Sequence, residues 1–325
     1  MTKPIDNPDF ISIMLLTRGR PDAFIQMLAS LARTAKRKDL IDLWAYVDDD
    51  DPTVEELRSL DLGSLAGFAV NFLARPRPVT HGEAFNELWR GTATNAGIYL
   101  AVADDYVMET RHWDESIRQS FAAYPDRLVL GRVQDPHLPN MLLIMAMTGE
   151  WINELGYLVP PYFPYWFGDR WMEEITRLAQ RLIYLDVQMK QNGGKGRTQR
   201  MRNLPFWTDF FCETFQERVE TAKRLRGRIY DPESHDGRLA EMMASELELK
   251  FWEQDLDWKR RDIQWLEESN ADPEEASNPP SLSYMKAELQ ARAHLSWLEG
   301  QGLLASQVRA EAQSMPPKTP LPTPA

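Results

Sequence analysis

Short apolar runs alternate with helix-period segments over the first 190 residues. Residues 10–16 form an apolar run suited to a buried strand. Pro21 then opens a helix, where its missing N–H costs nothing, and Phe24, Leu28 and Leu31 share one face of it. Residues 41–47 alternate, with Ile41, Leu43, Ala45 and Val47 on one side and Asp42, Trp44 and Tyr46 on the other. Asp51-Pro52 reads as a helix N-cap followed by proline in the first turn. Further strands are expected at 67–73, 97–103, 128–133, 141–147 and 182–187, and helices at 82–90, 113–123 and 170–181. This alternation predicts an α/β sheet with helices on both faces.

The pattern changes after residue 190. Residues 190–202 carry five basic side chains, no acidic ones, and Gly193, Gly194 and Gly196, the composition of a basic loop. Residues 231–275 hold fifteen acidic and five basic residues, so nearly all the excess negative charge sits there. Within them Leu249, Trp252, Leu256, Ile263 and Leu266 recur at helical spacing. Asn278-Pro279-Pro280 breaks that seam, and Leu282, Met285, Leu289, Leu295 and Leu298 suggest a returning helix. The expected division is a sheet domain over 1–230, an acidic helical hairpin over 231–310 and a disordered proline-rich tail over 311–325. The hairpin offers a surface to the sheet domain or to a second copy of the chain.

Composition narrows the class. With 325 residues, 43% of them apolar, the chain can bury a sizeable core, which excludes global disorder. A net charge of −12 argues against a protein that wraps duplex nucleic acid without reading sequence, but leaves a single-site contact open. The single cysteine, Cys212, can form no internal disulfide and no cysteine-rich zinc site. The N-terminal residues lack a basic start and an apolar run, and the apolar stretch 141–147 is far shorter than a bilayer span. A cytoplasmic protein without a transmembrane segment is the expectation.

Acidic clusters fall where strands are expected to end. Asp48, Asp49, Asp50 and Asp51 follow the second strand, and Asp104 and Asp105 follow the fourth. In open α/β sheets ligands bind outside the carboxyl ends of the strands. Two carboxylates about 4 Å apart repel by roughly 4 kcal/mol at an effective dielectric near 20. Such a pair must take up a proton, stay hydrated or hold a cation, and oxygen-only ligation suits Mg²⁺ or Mn²⁺. Thr17-Arg18-Gly19-Arg20 sits after the first strand and before a helix N-terminus, a setting that favours a phosphate. Together these imply a nucleotide diphosphate ligand. There is no GxxxxGK[ST] and no GxGxxG.

Four segments, ISIMLLTRGRPDAFIQMLASL, LWAYVDDDDP, GIYLAVADDYV and YWFGDRWMEEI, resemble in order and spacing a GT-A glycosyltransferase, closest to glycosyltransferase family 2. The resemblance covers residues 10–190 and implies a GT-A-type Rossmann-like mixed sheet, a nucleotide-sugar donor, Mn²⁺ or Mg²⁺, and inversion at the anomeric carbon. It implies that Thr17, Arg18 and Arg20 surround the nucleotide, and that Asp48 and Asp49 contact base and ribose. Asp105 is implied as the metal-binding member of the DxD motif, here written ADD, with Asp104 beside it on the sugar or ribose. Asp169, in Phe167-Gly168-Asp169, is implied as the catalytic base, with Glu173 and Glu174 as alternatives one turn on. Gln199 to Asn203 resembles the QxxRW motif of processive members, with Asn203 in place of the tryptophan.

Blander readings stand beside these. Asp51 is a helix cap. The aromatic stretch Tyr157 to Trp171 is either core or the lining of an acceptor site. Trp252, Trp258 and Trp265 are packing residues. His81, His112, His137 and His235 are scattered surface or structural groups. Two other functions share the fold: a sugar nucleotidyltransferase, which would want a more glycine-rich loop, and an inactive GT-A scaffold. The acceptor is open among a glycan, a lipid-linked sugar, a protein and a modified nucleic-acid base.

Overall fold

The computed structural model describes residues 3–92, 95–164, 166–192, 203–269 and 282–314. Eight strands, β1 (Asn7–Thr17), β2 (Ile41–Asp48), β3 (Ala69–Arg75), β4 (Ala96–Ala103), β5 (Tyr106–Met108), β6 (Leu130–Gln134), β7 (Ile144–Thr148) and β8 (Leu182–Gln191), form one sheet in the order β3-β2-β1-β4-β7-β6-β8-β5. Strands β3, β2, β1 and β4 are mutually parallel, and β6 is parallel to β8. Strand β7 runs against both β4 and β6, so β6 and β8 point the same way as the first group. Six strands therefore end at one edge, called here the carboxyl edge. Strand β5 pairs antiparallel with β8.

Parallel pairing requires crossovers, and the helices that supply them cover both faces. In chain order they are α1 (Pro21–Thr34), α2 (Val54–Ser59), α3 (Leu62–Ala66), α4 (His81–Gly91), α5 (Trp113–Ala122), α6 (Gly149–Leu155) and α7 (Gly168–Leu178). On one face Ile11, Ile13 and Leu15 pack with Phe24, Leu28 and Leu31 of α1 and with Trp113, Ile117 and Phe121 of α5. On the other, Met14 and Tyr99 pack with Leu88 and Trp89 of α4, Trp151 of α6 and Trp171 of α7. This mixed sheet with helices on both faces is the architecture the resemblance implied.

Strand β2 is buried on both faces, with Ile41, Leu43 and Ala45 in one core cluster and Tyr46 in the other, as the alternation implied. Buried Asp42 accepts from Ser12 Oγ at 2.5 Å and Trp44 Nε1 at 2.9 Å, which makes its burial tolerable. The structure corrects one local expectation, at Asp51, which is not the helix cap. Helix α2 starts at Val54, and the Asp51 carboxylate accepts from Thr53 N at 2.9 Å, Thr53 Oγ1 at 2.8 Å and Gly19 N at 2.8 Å. It closes its own turn and ties it to the loop after β1.

Beyond the sheet come α8 (Leu204–Glu213), α9 (Phe215–Ile229), α10 (His235–Ser269), α11 (Leu282–Gln301) and α12 (Ala305–Ser314). Both α10 and α11 pack on α8, and Phe251, Tyr284, Ala287 and Ala291 join the same core cluster as Trp171. The expected seams match the buried faces only in part. Leu298 is buried and Trp252 and Leu295 pack against the core as expected, but Leu249, Leu282 and Leu289 are exposed, and Ala240, Ala244, Phe251 and Asp255 of α10 and Tyr284, Ala287 and Ala291 of α11 are buried. The side chains of Ile263 and Leu266 lie outside the described residues. Alanines allow close helix approach, and Trp207 Nε1 donates to Tyr284 Oη at 2.7 Å across that contact. Phe251→Ala should cost about 3–5 kcal/mol and Leu249→Ala less than about 0.5 kcal/mol in urea unfolding. Equal losses would contradict the orientation of α10.

Tyr157, Tyr162, Phe163, Phe167 and Trp171 belong to the core or pack against it, with Trp207, Phe210 and Phe211, which decides the aromatic stretch for packing. Trp166 is exposed. Trp252 packs on Phe215 and Trp258 on Phe167. Residues 193–202 of the basic loop, with most of the QxxRW-like segment, the break near Pro279 and residues 315–325 of the expected tail lie outside the described residues. No helix among the described residues is long and apolar enough to cross a membrane.

Candidate functional site

The β1 register sets Thr17 beside Val47 and Leu16 beside Ala103. The loops after β1, β2 and β4 therefore emerge together at the carboxyl edge. Thr17 Oγ1 donates to Asp104 Oδ2 at 2.7 Å. Arg20 forms an ion pair with Asp104 Oδ1, and its Nη1 lies 3.5 Å from Asp105 Oδ2. Arg18 Nη1 reaches Asp48 Oδ2 at 2.7 Å and also pairs with Asp50. Gly19 adopts φ +65, a conformation that glycine takes at little cost, and this turns its N–H onto Asp51. Thr17, Arg18, Arg20, Asp48, Asp104 and Asp105 are thus brought together. Asp49 is not: it is exposed, and its amide donates to Arg75 O at 2.8 Å. Asp50, which was not singled out, is the second partner of Arg18.

Burial sets the electrostatics of this edge. The side chain of Asp104 is fully buried, and burial pushes its pKa up to about 6, helped by the charge of Asp105 and opposed by Thr17 and Arg20. A carboxyl raised in the folded state stabilises the fold below its unfolded pKa of about 3.9, and that contribution is lost as pH rises through about 6. Burial also raises Asp48 against the pull of Arg18. Exposed Asp50 is held below the usual carboxylate range by the Arg18 hydrogen bond.

The carboxylate pair fits a hard divalent cation. Asp104 Oδ1 touches Arg20 without hydrogen-bond alignment and is otherwise an orphaned buried oxygen. Asp105 Oδ2 has two long contacts, 3.5 Å to Arg20 and 3.3 Å to Gln191 Nε2. Its backbone carbonyl accepts from Asn192 N at 2.6 Å, which fixes the loop. No group of three or more His, Cys, Asp or Glu side chains that could hold a metal occurs among the described residues. One or two carboxylates, with water and phosphate oxygens filling the remaining positions, is the usual way Mg²⁺ is held.

Asp169 reaches the same edge by topology. Strand β8 starts opposite the start of β6, away from the carboxyl edge, so the helix α7 that precedes it begins at that edge. Its first turn lies against α4. Gly82 of α4 approaches so closely that an added Cβ would stand 2.2 Å from Pro160 O. Asn86 clamps the same segment, donating to Val159 O at 2.8 Å and accepting from Leu158 N at 2.7 Å. Thr80 caps α4 by accepting from Glu83 N at 3.0 Å, and Glu83 accepts in return from Val79 N at 2.8 Å. This packing puts His81 Cε1 3.8 Å from where a Gly168 Cβ would be. His81 Nδ1 is buried without a hydrogen-bond partner, and burial lowers the imidazole pKa against the pull of a hydrogen bond to the Phe163 backbone.

Burial raises the Asp169 carboxyl above its ordinary value, while the backbone amides of Arg170 and Asp169 pull it back. Glu174 is removed from the rival bases. It is buried and bound to Arg218 Nε at 2.6 Å and Arg170 Nε at 3.0 Å. Glu173, also raised by burial, pairs with Arg177 at 3.3 Å. His81 was unreadable as a site neighbour because its placement depends on the 158–163 segment folding back onto α4. The Thr80–Glu83 capping signal was available in the sequence and locates the helix start, not the contact.

No family model matches the chain, and no curated protein matches it. Among solved structures it is similar to the mannosyltransferase PcManGT from Pyrobaculum calidifontis in complex with GDP-Man and Mn²⁺, at 12% identity over 95% of this chain and 87% of that chain, with a TM-score of 0.49. It is also similar to S. aureus TarS 1-349, at 10% identity over 68% of this chain and 70% of that chain, with a TM-score of 0.48. For the complex of TarS 1-349 with UDP-GlcNAc the identity is 10%, the coverage 72% and 79%, and the TM-score 0.48.

Proposed function

We propose that this chain is a metal-dependent, inverting glycosyltransferase that moves a sugar from a nucleoside-diphosphate sugar to an acceptor hydroxyl. The observation that supports this most is convergence. Arg18, Arg20, Asp48, Asp104 and Asp105, drawn from three loops, meet at the edge where α7 presents Asp169.

Arg18 and Arg20 hold the donor diphosphate with the N-terminal turn of α1, exchanging carboxylate partners for phosphate oxygens. Asp48 faces the base and ribose. Asp105, with Asp104, would hold Mn²⁺ or Mg²⁺, which supplies charge neutralisation on the leaving diphosphate. Asp169 accepts the proton of the acceptor hydroxyl as that oxygen bonds to the anomeric carbon. The bond from that carbon to the diphosphate breaks, and the diphosphate departs with the electron pair. Attack from the face opposite the leaving group inverts the centre. Positioning and charge placement carry most of the rate enhancement. Helix α10 serves as an extension that buttresses α7.

Mass spectrometry of donor hydrolysis across a panel of nucleotide sugars tests the reading. Release of nucleoside diphosphate that needs added Mn²⁺ or Mg²⁺ and is lost in Asp105→Ala is the expected result. Release of pyrophosphate from a nucleoside triphosphate would point to a nucleotidyltransferase, and no turnover of either kind would leave the scaffold.

A further inference from the structure

Arg132 lies in the body of β6, is 3% exposed, and presents Nε and Nη2 with no hydrogen-bond partner. A guanidinium carries five donors that cannot be deprotonated, so burying it this way is unfavourable unless something accepts from it. Its position on the sheet fixes where it faces. Leu130, two residues earlier, packs in the core on the α7 side, whereas Val133 packs on the other face. Arg132 therefore faces α7, flanked in register by Met145 of β7 and Tyr184 of β8. Its guanidinium sits 5.4 Å from the Tyr184 ring centre. From α7, Glu173 is near enough for its carboxyl to feel the Arg132 charge, but it spends its own hydrogen bond on Arg177.

Asp169 and Glu173 are four residues apart and share a helix face, about 6 Å along the axis. That separation is close to the width of one sugar ring. We propose that Arg132 is the recognition residue for an anionic group, a carboxylate or a phosphate, on the acceptor whose hydroxyl is delivered to Asp169. The inference rests on the transferase reading for the word acceptor, and on the unpartnered guanidinium alone for the anion. Two parallel N–H groups offered by one guanidinium edge match the two oxygens of either group. The neighbouring Glu173 carboxylate weakens the capture of an anion at Arg132.

The test titrates the full-length chain with inorganic phosphate by calorimetry, which requires no transfer chemistry. Two sites are expected in the unaltered protein, one at Arg132 and one at the loop after β1. Arg132→Met should remove one and the Arg18→Ala/Arg20→Ala double variant the other. Two sites surviving in Arg132→Met would overturn the proposal. Glu173→Gln guards against a variant that does not fold. It should tighten phosphate severalfold at the Arg132 site, and unchanged affinity would count against the subsite. The acceptor is then read by transfer rates to a methyl glycoside of a uronic acid and to its neutral counterpart. A preference of at least tenfold for the charged acceptor, lost in Arg132→Met, is expected. Equal rates, or a charge preference that resides in the donor sugar, would overturn the acceptor assignment.

Discussion

Asp169→Asn should lower the rate of sugar transfer by about 10²- to 10⁴-fold, the usual contribution of a positioned general base. Nucleoside-diphosphate affinity should change little, because the residues proposed to hold the donor lie on other loops. The carboxyl must be ionised to accept a proton, and burial raises it above the ordinary carboxylate range. Transfer should therefore climb with pH through a value higher than an exposed aspartate would give. Glu173→Gln is the control for the neighbouring carboxyl. A larger rate loss in Glu173→Gln than in Asp169→Asn would transfer the role of base to Glu173.

Asp255→Ala should destabilise the chain by about 3–5 kcal/mol in urea unfolding, the cost of breaking a buried pair from one side. Asp255 of α10 accepts from Arg170 Nη2 at 2.9 Å and Arg218 Nη2 at 2.8 Å, and Glu174 closes the ring of charge between the same two arginines. Arg218 and Asp255 are fully buried, with Arg218 stacked 3.8 Å from the Phe211 ring centre. Burial and the Glu174 charge push Asp255 upward, and the two guanidiniums oppose this. Removing Asp255 leaves two enclosed cations sharing one carboxylate. The damage should reach function as well, because Arg170 follows Asp169 directly and ties the first turn of α7 to α10. A loss below about 1 kcal/mol would mean that the cluster holds neither helix in place.

Seven of the eight strands were legible because they are apolar runs punctuated by Pro21 and by aspartates at strand ends, all of them local signals; the three-residue β5 was too short to leave one. The carboxylate clusters were legible for the same reason: Asp48 and Asp104 directly follow apolar runs, and parallel topology then forces their loops together. The faces of the C-terminal helices were legible only in part: Trp252, Leu295 and Leu298 pack inward as their spacing implies, but Leu249 does not. A pattern argument scores Asp255 as polar and Leu249 as apolar, yet two arginines from α7 and α9 make the aspartate the buried one. Helix α8 left little periodic signal because Leu204–Glu213 is mostly apolar. Arg132 and His81 carry no signal in the sequence: each is defined by contacts between segments distant along the chain.

Calorimetric titration of the full chain with uridine diphosphate, in the presence and absence of Mn²⁺ and repeated on Asp105→Ala and Arg20→Ala, goes furthest toward deciding whether three loops build one pyrophosphate-and-cation site. Tight binding should require Mn²⁺ in the unaltered chain and weaken at least tenfold in each variant. It should also fade as pH drops below about 6, where Asp104 takes up its proton. Uridine diphosphate bound equally well without Mn²⁺ and by both variants would contradict the account.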